Sequence, residues 1–393
     1  MSDFSLRHIG INNDQKKEIL NYIGVKNIEE LIEQTIPENI RLKKDLKLDE
    51  AISENEFLNH IEELSSQNKV FKSFIGLGYN ESIIPSVIKR NILENPSWYT
   101  AYTPYQAEIA QGRMEALLNY QTTICDLTGM ELSNASLLDE STSAAEAMTM
   151  IYSCRTRDQK KRNICKFFVS HDSLKQTKSL LQTRAEPLGI DVIIGDPSNF
   201  NYSEDFFGCF FQYPGIFGEI KDLEGYCKNA NSNDLKIIIA ADLLALCLIK
   251  EPALFDIDVV VGTSQRFGIP LGYGGPHAAF FATKEEYKRS IPGRIIGITK
   301  DSNGDRALRM ALQTREQHIK RDRATSNICT SQVLLAVMAS MYAVFHGPKG
   351  LRRIASKIHY LTVSLENSLK KIGIDQLNKN YFDTLHCKGP SNT

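Results

Sequence analysis

The sequence predicts an α/β protein with a mostly parallel central sheet. Between about residues 130 and 283, short β-branched and aromatic runs alternate with stretches of helical periodicity, which is typical of strands joined by crossover helices. The runs are almost continuously apolar, as expected for strands buried on both faces of a parallel sheet. They are Lys166-Phe167-Phe168-Val169, Val192-Ile193-Ile194, Cys209-Phe210-Phe211-Gln212, Ile237-Ile238-Ile239, Val259-Val260-Val261 and Ala278-Ala279-Phe280-Phe281.

The segments on either side of this region predict a division into three parts. Residues 11–68 carry apolar side chains at helical spacing, so residues 1–70 are expected to form a helical N-terminal extension. Residues 71–345 would form the large α/β domain. Residues 346–393 would begin a small C-terminal domain, which we expect to be incomplete because a strand-like segment near residue 380 stops at once.

The composition argues against several classes of protein. Of the 393 residues, 42% are hydrophobic and 24% are charged, with a formal net charge of −1, so neither disorder nor a nucleic-acid partner is indicated. The longest apolar runs are too short to span a membrane, and the first residues do not resemble a leader peptide. The eight cysteines form no CxxC pair, which argues against a metal site and favours reduced thiols in the cytoplasm.

An aromatic segment with two prolines, from Pro96 to Glu108, precedes a predicted helix. Prolines restrict the backbone, so we expect a rigid loop that displays phenol, hydroxyl and amide groups. Such a loop can line a small-molecule pocket, or its rings can form a small core beneath the loop. The candidate pocket residues are Tyr99, Tyr102, Thr103, Tyr105 and Gln106.

Polar side chains also follow two predicted boundaries of secondary structure. Ser141-Thr142-Ser143 begins an alanine-rich helix, where free backbone N–H groups can bind a phosphate. Capping by Ser or Thr, with Glu146 near the capping-box position, is the simpler alternative. Asp242 follows the apolar run 236–241, at a strand end where ligands gather in open sheets, although a strand-end cap would also explain it. The glycine-rich segment 264–277 would allow a close approach to a ligand or would only form turns.

Residues 312–332 form the densest polar segment of the chain. Three of its basic side chains would share one helical face, which could bind a carboxylate or a phosphate or could simply be solvated. A hydroxyl and amide turn follows, and the cysteine beside it is either a thiol at a pocket mouth or a small buried hydrophobe. The candidate residues are Arg315, His318, Arg321, Thr325, Ser326, Asn327 and Cys329.

Together these segments resemble the glycine cleavage system P-protein family of pyridoxal-phosphate-dependent glycine decarboxylases. The resemblance covers nearly the whole chain and is carried by Arg7-His8-Ile9-Gly10, Phe74 through Tyr79, Asn91 through Gln121, Asn134 through Met150, Phe267 through Phe281 and Arg315 through Gln332. The family has two homologous halves, each with the aspartate-aminotransferase-like fold of type I pyridoxal-phosphate transferases. This chain resembles the amino-terminal half, in the type that carries both halves on one polypeptide.

The resemblance implies that this half is a degenerate copy. In the family's carboxyl half, the Schiff-base lysine precedes a glycine-rich stretch that matches residues 267–276, and Gln265 stands where that lysine would be. A glutamine amide cannot hold the cofactor covalently, so pyridoxal phosphate is expected in the half that lies elsewhere. The remnants of a cofactor cup would be Ser141, Thr142, Ser143 and Asp242.

An activity and its partners are also implied by the resemblance. The complete protein would decarboxylate glycine and pass the aminomethyl group to the lipoyl arm of H-protein. This chain would pack on the carboxyl half, complete its active site and belong to a homodimer of the full chain. The expected entrance residues are Tyr99, Tyr102, Tyr105 and Gln106, and Arg315, His318 and Asn327 would lie near the cofactor.

Two alternatives to this interpretation differ in class. The chain could be a non-catalytic subunit of a two-chain glycine decarboxylase, in which case a separate start codon would lie directly downstream. It could instead be a complete enzyme that uses Lys284, Lys288 or Lys320, but none of these precedes the glycine-rich turn at a strand end.

Overall fold

The computed structural model describes residues 8, 10–44, 46–72, 74, 76–99, 104–313, 316–324, 328 and 332–389, without the side chain of His318. These residues fall into two units, Met1–Phe74 and Ile75–Thr393. The predicted limits of the three parts, including a small domain that begins at residue 346, stay a prediction.

The described residues of the first unit include α-helices. Its helices are α1 (Asn13–Ile23), α2 (Ile28–Thr35) and α3 (Glu54–Ser66). Capping boxes at Asn12 and Ser53 begin α1 and α3, because each cap side chain accepts a bond from the third helical residue and that residue bonds back. Polar capping therefore defines where these two helices start.

A seven-stranded sheet organises the second unit, in the order β1-β7-β6-β5-β4-β2-β3. The strands are β1 (Leu132–Ser133), β2 (Lys166–Ser170), β3 (Asp191–Gly195), β4 (Phe206–Tyr213), β5 (Lys236–Ala241), β6 (Val259–Thr263) and β7 (Ala279–Thr283). The five strands from β6 to β3 pair in parallel, while β7 is antiparallel to both β6 and β1. Each apolar run predicted from the sequence lies in one of the strands β2 to β7, so the mostly parallel sheet is confirmed.

The second unit also contains α-helices. They are α4 (Ser86–Ile88), which continues as a π-helical turn over Lys89–Leu93, α5 (Gln111–Thr128), α6 (Glu140–Ser153), α7 (Arg157–Lys161), α8 (Lys175–Ala185), α9 (Leu223–Asn231), α10 (Gln317–Lys320) and α11 (Val333–Lys371). Helix α11 is interrupted at Gly347, which precedes Pro348 and has the non-helical backbone angles φ 62° and ψ 176°. Within the described residues, no helix is long and apolar enough to cross a membrane.

Two buried clusters pack on opposite faces of the sheet. Strand β5 shows why, because Ile237 and Ile239 belong to one cluster while Ile238 and Ala240 belong to the other. Helices α5, α9 and α11 contribute to the first cluster, and α6 and α8 contribute to the second. The sheet is therefore the middle layer of an α/β/α arrangement, which leaves its strand ends as the open edge.

A separate antiparallel hairpin was not predicted from the sequence. Its strands are β8 (Ile295–Lys300) and β9 (Arg306–Ala311), and Ile296, Leu308 and Met310 join the first buried cluster. The β9 sequence contains Arg, Ala, Leu and Met, which favour helices, so its strand conformation follows from pairing with β8 rather than from local propensity.

Candidate functional site

A cleft lies at the carboxyl ends of β4, β5 and β6, where open α/β sheets bind ligands. It consists of two cavities of about 330 and 280 Å³, which share Gly78, Tyr79, Glu140, Leu174 and Thr263 among their lining residues. The first also has Asp139, Ser141 and His277 in its wall, and the second has Gln212, Asp242, Arg266 and Asp383. The cleft thus combines the end of the sheet with the N-terminus of α6.

Gln265 is the second residue after β6 and is fully buried. Its Nε2 donates to the carbonyl oxygens of Asn80, at 2.6 Å, and Ile269, at 2.8 Å. The backbone carbonyl of Gln265 accepts a hydrogen bond from the Ser82 hydroxyl at 3.1 Å. This side chain therefore fastens the segment around residue 80 to the glycine-rich turn, which is a structural role.

Arg266 joins two carboxylates at the second cavity. Its Nη1 pairs with the Asp242 carboxylate and lies 2.7 Å from Oδ2 of Asp383. The Asp242 Oδ1 also accepts from the Leu244 backbone N–H at 2.9 Å, as a strand-end cap would. The predicted position of Asp242 after β5 is correct, and both of its carboxylate oxygens have partners in this chain.

The start of α6 differs from the capping alternative considered above. Asp139 is the N-cap residue and its Oδ1 accepts from the Thr142 backbone N–H at 2.7 Å. Glu146 does not form a capping box, because its carboxylate pairs with Arg184 at 2.6 Å. The Ser141 hydroxyl lies 3.1 Å from that of Thr177. The expectation that a Ser or Thr caps this helix was therefore wrong.

Glu140 follows the cap and faces the cleft. Burial raises the pKa of its carboxyl to about 7, while the hydrogen bond from Gln212, at 3.3 Å, acts in the opposite direction. Thr177 donates to the same Oε1 at 3.5 Å. A carboxyl that changes charge near neutral pH therefore lies at the helix N-terminus where a phosphate could otherwise bind.

His277 lines the first cavity together with Glu140. Its Nδ1 lies 2.9 Å from the Thr263 hydroxyl, and its ring meets the Tyr79 ring edge-on with centroids 5.0 Å apart. Burial lowers the pKa of this imidazole, which favours its neutral form.

The residues of this cleft do not fit pyridoxal phosphate. Gln265, which the resemblance puts at the lysine position, has its side-chain amide bonded to two backbone carbonyls. Arg266 pairs with Asp242, the carboxylate that would otherwise face the ring nitrogen. Asp139 and Glu140 line the cavity at the start of α6, where their carboxylates would repel a phosphate dianion.

The described candidate residues of the aromatic loop do not line this cleft. Tyr99 is 52% exposed and Tyr105 is 41% exposed, Gln106 is also exposed, and none of the three lines either cavity. Tyr105 instead accepts a hydrogen bond from Arg294 Nη2 at 2.5 Å. Among the other predicted residues, Tyr102, Thr103, Arg315, Thr325, Ser326, Asn327 and Cys329, with the His318 side chain, lie outside the described residues.

Arg321 does not continue the helix on which it was predicted to share a face with Arg315 and His318. Helix α10 covers only Gln317–Lys320, and Arg321 has φ 54° and ψ −123°, which turns the backbone out of the helix. The helical spacing of the basic residues was therefore not enough to predict a shared helical face, because nothing in the local sequence indicates the change of backbone conformation at Arg321.

Several residues of the cleft were missed by the sequence analysis. Glu140 and His277 adjoin predicted segments and could have been found from their positions beside a helix cap and a glycine-rich turn. Tyr79 follows two glycines in residues 76–78, which was a weaker signal. No local pattern indicates Arg266 or Gln212, since both depend on contacts between distant segments.

The chain matches the model of the family described as glycine cleavage system P-protein over residues 6–393. It is 62% identical over 385 residues to the glycine dehydrogenase (decarboxylating) of Christiangramia forsetii, covering 98% of this chain but 41% of that relative. The glycine dehydrogenase (decarboxylating) of Nostoc punctiforme is 55% identical over 388 residues, covering 99% of the chain and 39% of the relative. The chain thus spans about two fifths of the length of these curated relatives.

Solved structures show the same relationship. A crystal structure of glycine decarboxylase (P-protein) of the glycine cleavage system, in inhibitor-bound form, matches with a TM-score of 0.84 and 30% identity, over 95% of this chain and 85% of that one. An aspartate aminotransferase from Thermus thermophilus matches with a TM-score of 0.54 and 13% identity, over 80% and 82% of the two chains. The aminotransferase-like fold expected from the resemblance is confirmed.

Proposed function

The chain belongs to the glycine cleavage system P-protein family, and we propose that it acts as the amino-terminal half of a glycine decarboxylase whose cofactor is held by the other half. The observation that carries this proposal is the 62% identity over 98% of the chain to a glycine dehydrogenase (decarboxylating) of which it covers 41%. Pyridoxal phosphate in the carboxyl half would supply the electron sink for loss of the glycine carboxylate.

The proposed role of this half is structural support and completion of the active site. Gln265 and Arg266 occupy the ancestral cofactor position with bonds inside the chain, which supports the interpretation that the cleft is degenerate. The proposed lining residues of the shared active site are Tyr99, Tyr102, Thr103, Tyr105, Gln106, Arg315, His318, Thr325, Ser326, Asn327 and Cys329. The proposed remnants of the cup are Ser141, Thr142, Ser143 and Asp242.

The partners in this proposal are glycine, the carboxyl half and the lipoylated H-protein, which accepts the aminomethyl group. The full-length protein would form a homodimer in the cytoplasm. A near-neutral composition with dispersed basic residues supports a protein partner rather than a nucleic acid.

Reconstitution of the two halves tests the function. This chain is co-expressed with the carboxyl-terminal part of the Christiangramia forsetii relative that it does not cover, and release of labelled carbon dioxide from carboxyl-labelled glycine is measured with lipoylated H-protein. We expect release only when both parts are present. The control is the same pair with the Schiff-base lysine of the carboxyl part replaced by alanine.

Two results would overturn the proposal. The first is a folded, associated pair of halves that releases no carbon dioxide above the lysine-to-alanine control. The second is full activity of the carboxyl part alone, which would leave this chain without a role in the reaction.

A further inference from the structure

A second buried polar cluster lies at the start of the β8 hairpin and is not part of the cleft. Arg294 precedes β8 and is 6% exposed. One arm of its guanidinium pairs with the Glu316 carboxylate, which is also buried, and Nη2 donates to the Tyr105 hydroxyl at 2.5 Å. The guanidinium carbon lies 5.2 Å from the centre of the Tyr105 ring. One side chain thus contacts two segments that are far apart in sequence.

The backbone of Arg294 is itself fixed by the segment that follows β1. The Ala135 backbone N–H donates to the Arg294 carbonyl at 2.7 Å. The Asn134 side chain donates to the Pro292 carbonyl at 3.1 Å. Gly293 has φ 76°, and a Cβ there would lie 2.9 Å from Asn134 Nδ2, so this close approach requires glycine. The guanidinium therefore projects from a backbone that has little freedom.

The chemistry of arginine suits a side chain that contacts a carboxylate and a phenol at the same time. A planar guanidinium offers several N–H donors in fixed directions, so it can pair with a carboxylate on one side and donate to a phenol on the other. A lysine ammonium could keep the charge but would not reproduce this fork. Because the Glu316 carboxylate is buried, loss of the Arg294 cation would remove a partner from a buried charge, which favours movement of the Glu316 segment into water.

The two segments joined by Arg294 are those that carry the proposed active-site residues. Tyr105 belongs to the aromatic loop, and Glu316 immediately precedes α10 in the polar segment 312–332. Tyr105 keeps 41% of its surface exposed although its hydroxyl is bonded to a buried guanidinium. Its ring is therefore presented at the surface in a defined orientation.

We propose that Arg294 is a positioning residue that holds the Tyr105 loop and the Glu316 segment in one arrangement and so shapes the entrance for the lipoyl arm. This inference rests on the proposed function, and it deepens it by naming the side chain that sets the geometry of the entrance. Arg294 acts through Tyr105 and Glu316 and is not itself assigned a contact with substrate.

Amide hydrogen exchange of the 393-residue chain tests whether Arg294 holds Tyr105 and Glu316 in place, and it does not require enzyme activity. In Arg294→Met, peptides that contain Tyr105 and peptides that contain Glu316 should both exchange about tenfold faster, since hydrogen bonds to charged groups of this kind are lost. Tyr105→Phe should accelerate only the first set and Glu316→Gln only the second. Arg309→Met is the matched control, because Arg309 is an exposed arginine on the adjacent strand β9 and should change neither set.

A second variant covers the case in which Arg294→Met does not fold, which would appear as loss of protection in β5. Arg294→Lys keeps a cation beside Glu316 but loses the fork, so it should accelerate the Tyr105 peptides and leave the Glu316 peptides protected. Unchanged exchange of the Tyr105 peptides in Arg294→Lys, or of either set in a folded Arg294→Met chain, would overturn the inference.

The reconstituted enzyme supplies the kinetic readout. Arg294→Lys should raise KM for the lipoylated H-protein about tenfold with little change in kcat, because a displaced entrance weakens access rather than the chemical step. If KM is unchanged while the reconstituted enzyme is active, the inference fails and the proposed function stands. If the exchange results are as expected while the reconstituted halves are inactive, the proposed function fails, but the positioning of Tyr105 and Glu316 by Arg294 is retained.

Discussion

Glu140 gives the folded chain a pH-dependent stability that can be worked out from its surroundings. Burial raises the pKa of this carboxyl from its ordinary 4.5 to about 7 in the folded chain. The folded chain therefore binds this proton more tightly than the unfolded chain does. The resulting stabilisation is fully present below about pH 4.5 and is lost as the pH rises through about 7.

The magnitude follows from the same shift. Each tenfold difference in proton affinity corresponds to about 1.4 kcal/mol, so a pKa that rises from 4.5 to about 7 gives about 3 kcal/mol. The positive end of α6 favours the ionised carboxylate by up to about 1 kcal/mol, which reduces the expected loss to about 2–3 kcal/mol. Glu140→Gln keeps the size and the hydrogen bonds of the protonated acid but cannot ionise.

The assay is the free energy of unfolding in urea, measured from pH 5 to pH 8.5 for the parent chain and for Glu140→Gln. The variant should gain about 1.5–2.5 kcal/mol over the parent across this range, because part of the loss already lies below pH 5 and the other titrating groups cancel in the difference. Glu54→Gln is the matched control, since Glu54 is also the first residue after an N-cap but is exposed. A difference between parent and Glu140→Gln that stays flat with pH would refute the argument from burial.

Two further substitutions test the packing around the cleft. Arg266→Met leaves Asp242 and Asp383 without their shared cation and should lower the free energy of unfolding by about 3 kcal/mol. This value is at the low end for a buried pair because both carboxylates keep some exposure. A loss below about 0.5 kcal/mol in urea unfolding at pH 7, which is the size expected at an ordinary surface site, would contradict this prediction. Gly262→Ala should cost at least about 1–3 kcal/mol, because its Cβ would lie 2.4 Å from a backbone oxygen of β5. Gly225→Ala in α9, where a Cβ would meet nothing within 4 Å, should instead be neutral or stabilising by about 0.5–1 kcal/mol. Equal effects of the two alanine substitutions on thermal unfolding would argue against a close approach of β5 to Gly262.

The central strands could be predicted from the sequence because their environment leaves a local record. A strand that is buried on both faces needs apolar residues at every position, and β5 and β6 show this in Ile237-Ile238-Ile239 and Val259-Val260-Val261. Strand β9 has one exposed face and contains Arg, Ala, Leu and Met, which also suit a helix, so its pairing with β8 determines its conformation.

The site was predicted in position but not in its contacts. The end of an apolar run marked Asp242, and the resemblance marked Gln265 ahead of the glycine-rich turn. Their partners could not be found that way, because the Gln265 bond to Asn80 spans 185 residues and the Arg294 bond to Tyr105 spans 189. Such pairs are brought together by the fold, and no local periodicity indicates them.

Pyridoxal-phosphate labelling tests the central claim most directly. The purified 393-residue chain, alone and together with the carboxyl part of the Christiangramia forsetii relative, is incubated with the cofactor, reduced with borohydride and mapped by peptide mass. We expect no specifically labelled lysine in this chain and one labelled lysine in the carboxyl part. A single stoichiometric label on a lysine of this chain would contradict the account, because the chain would then hold a cofactor site of its own.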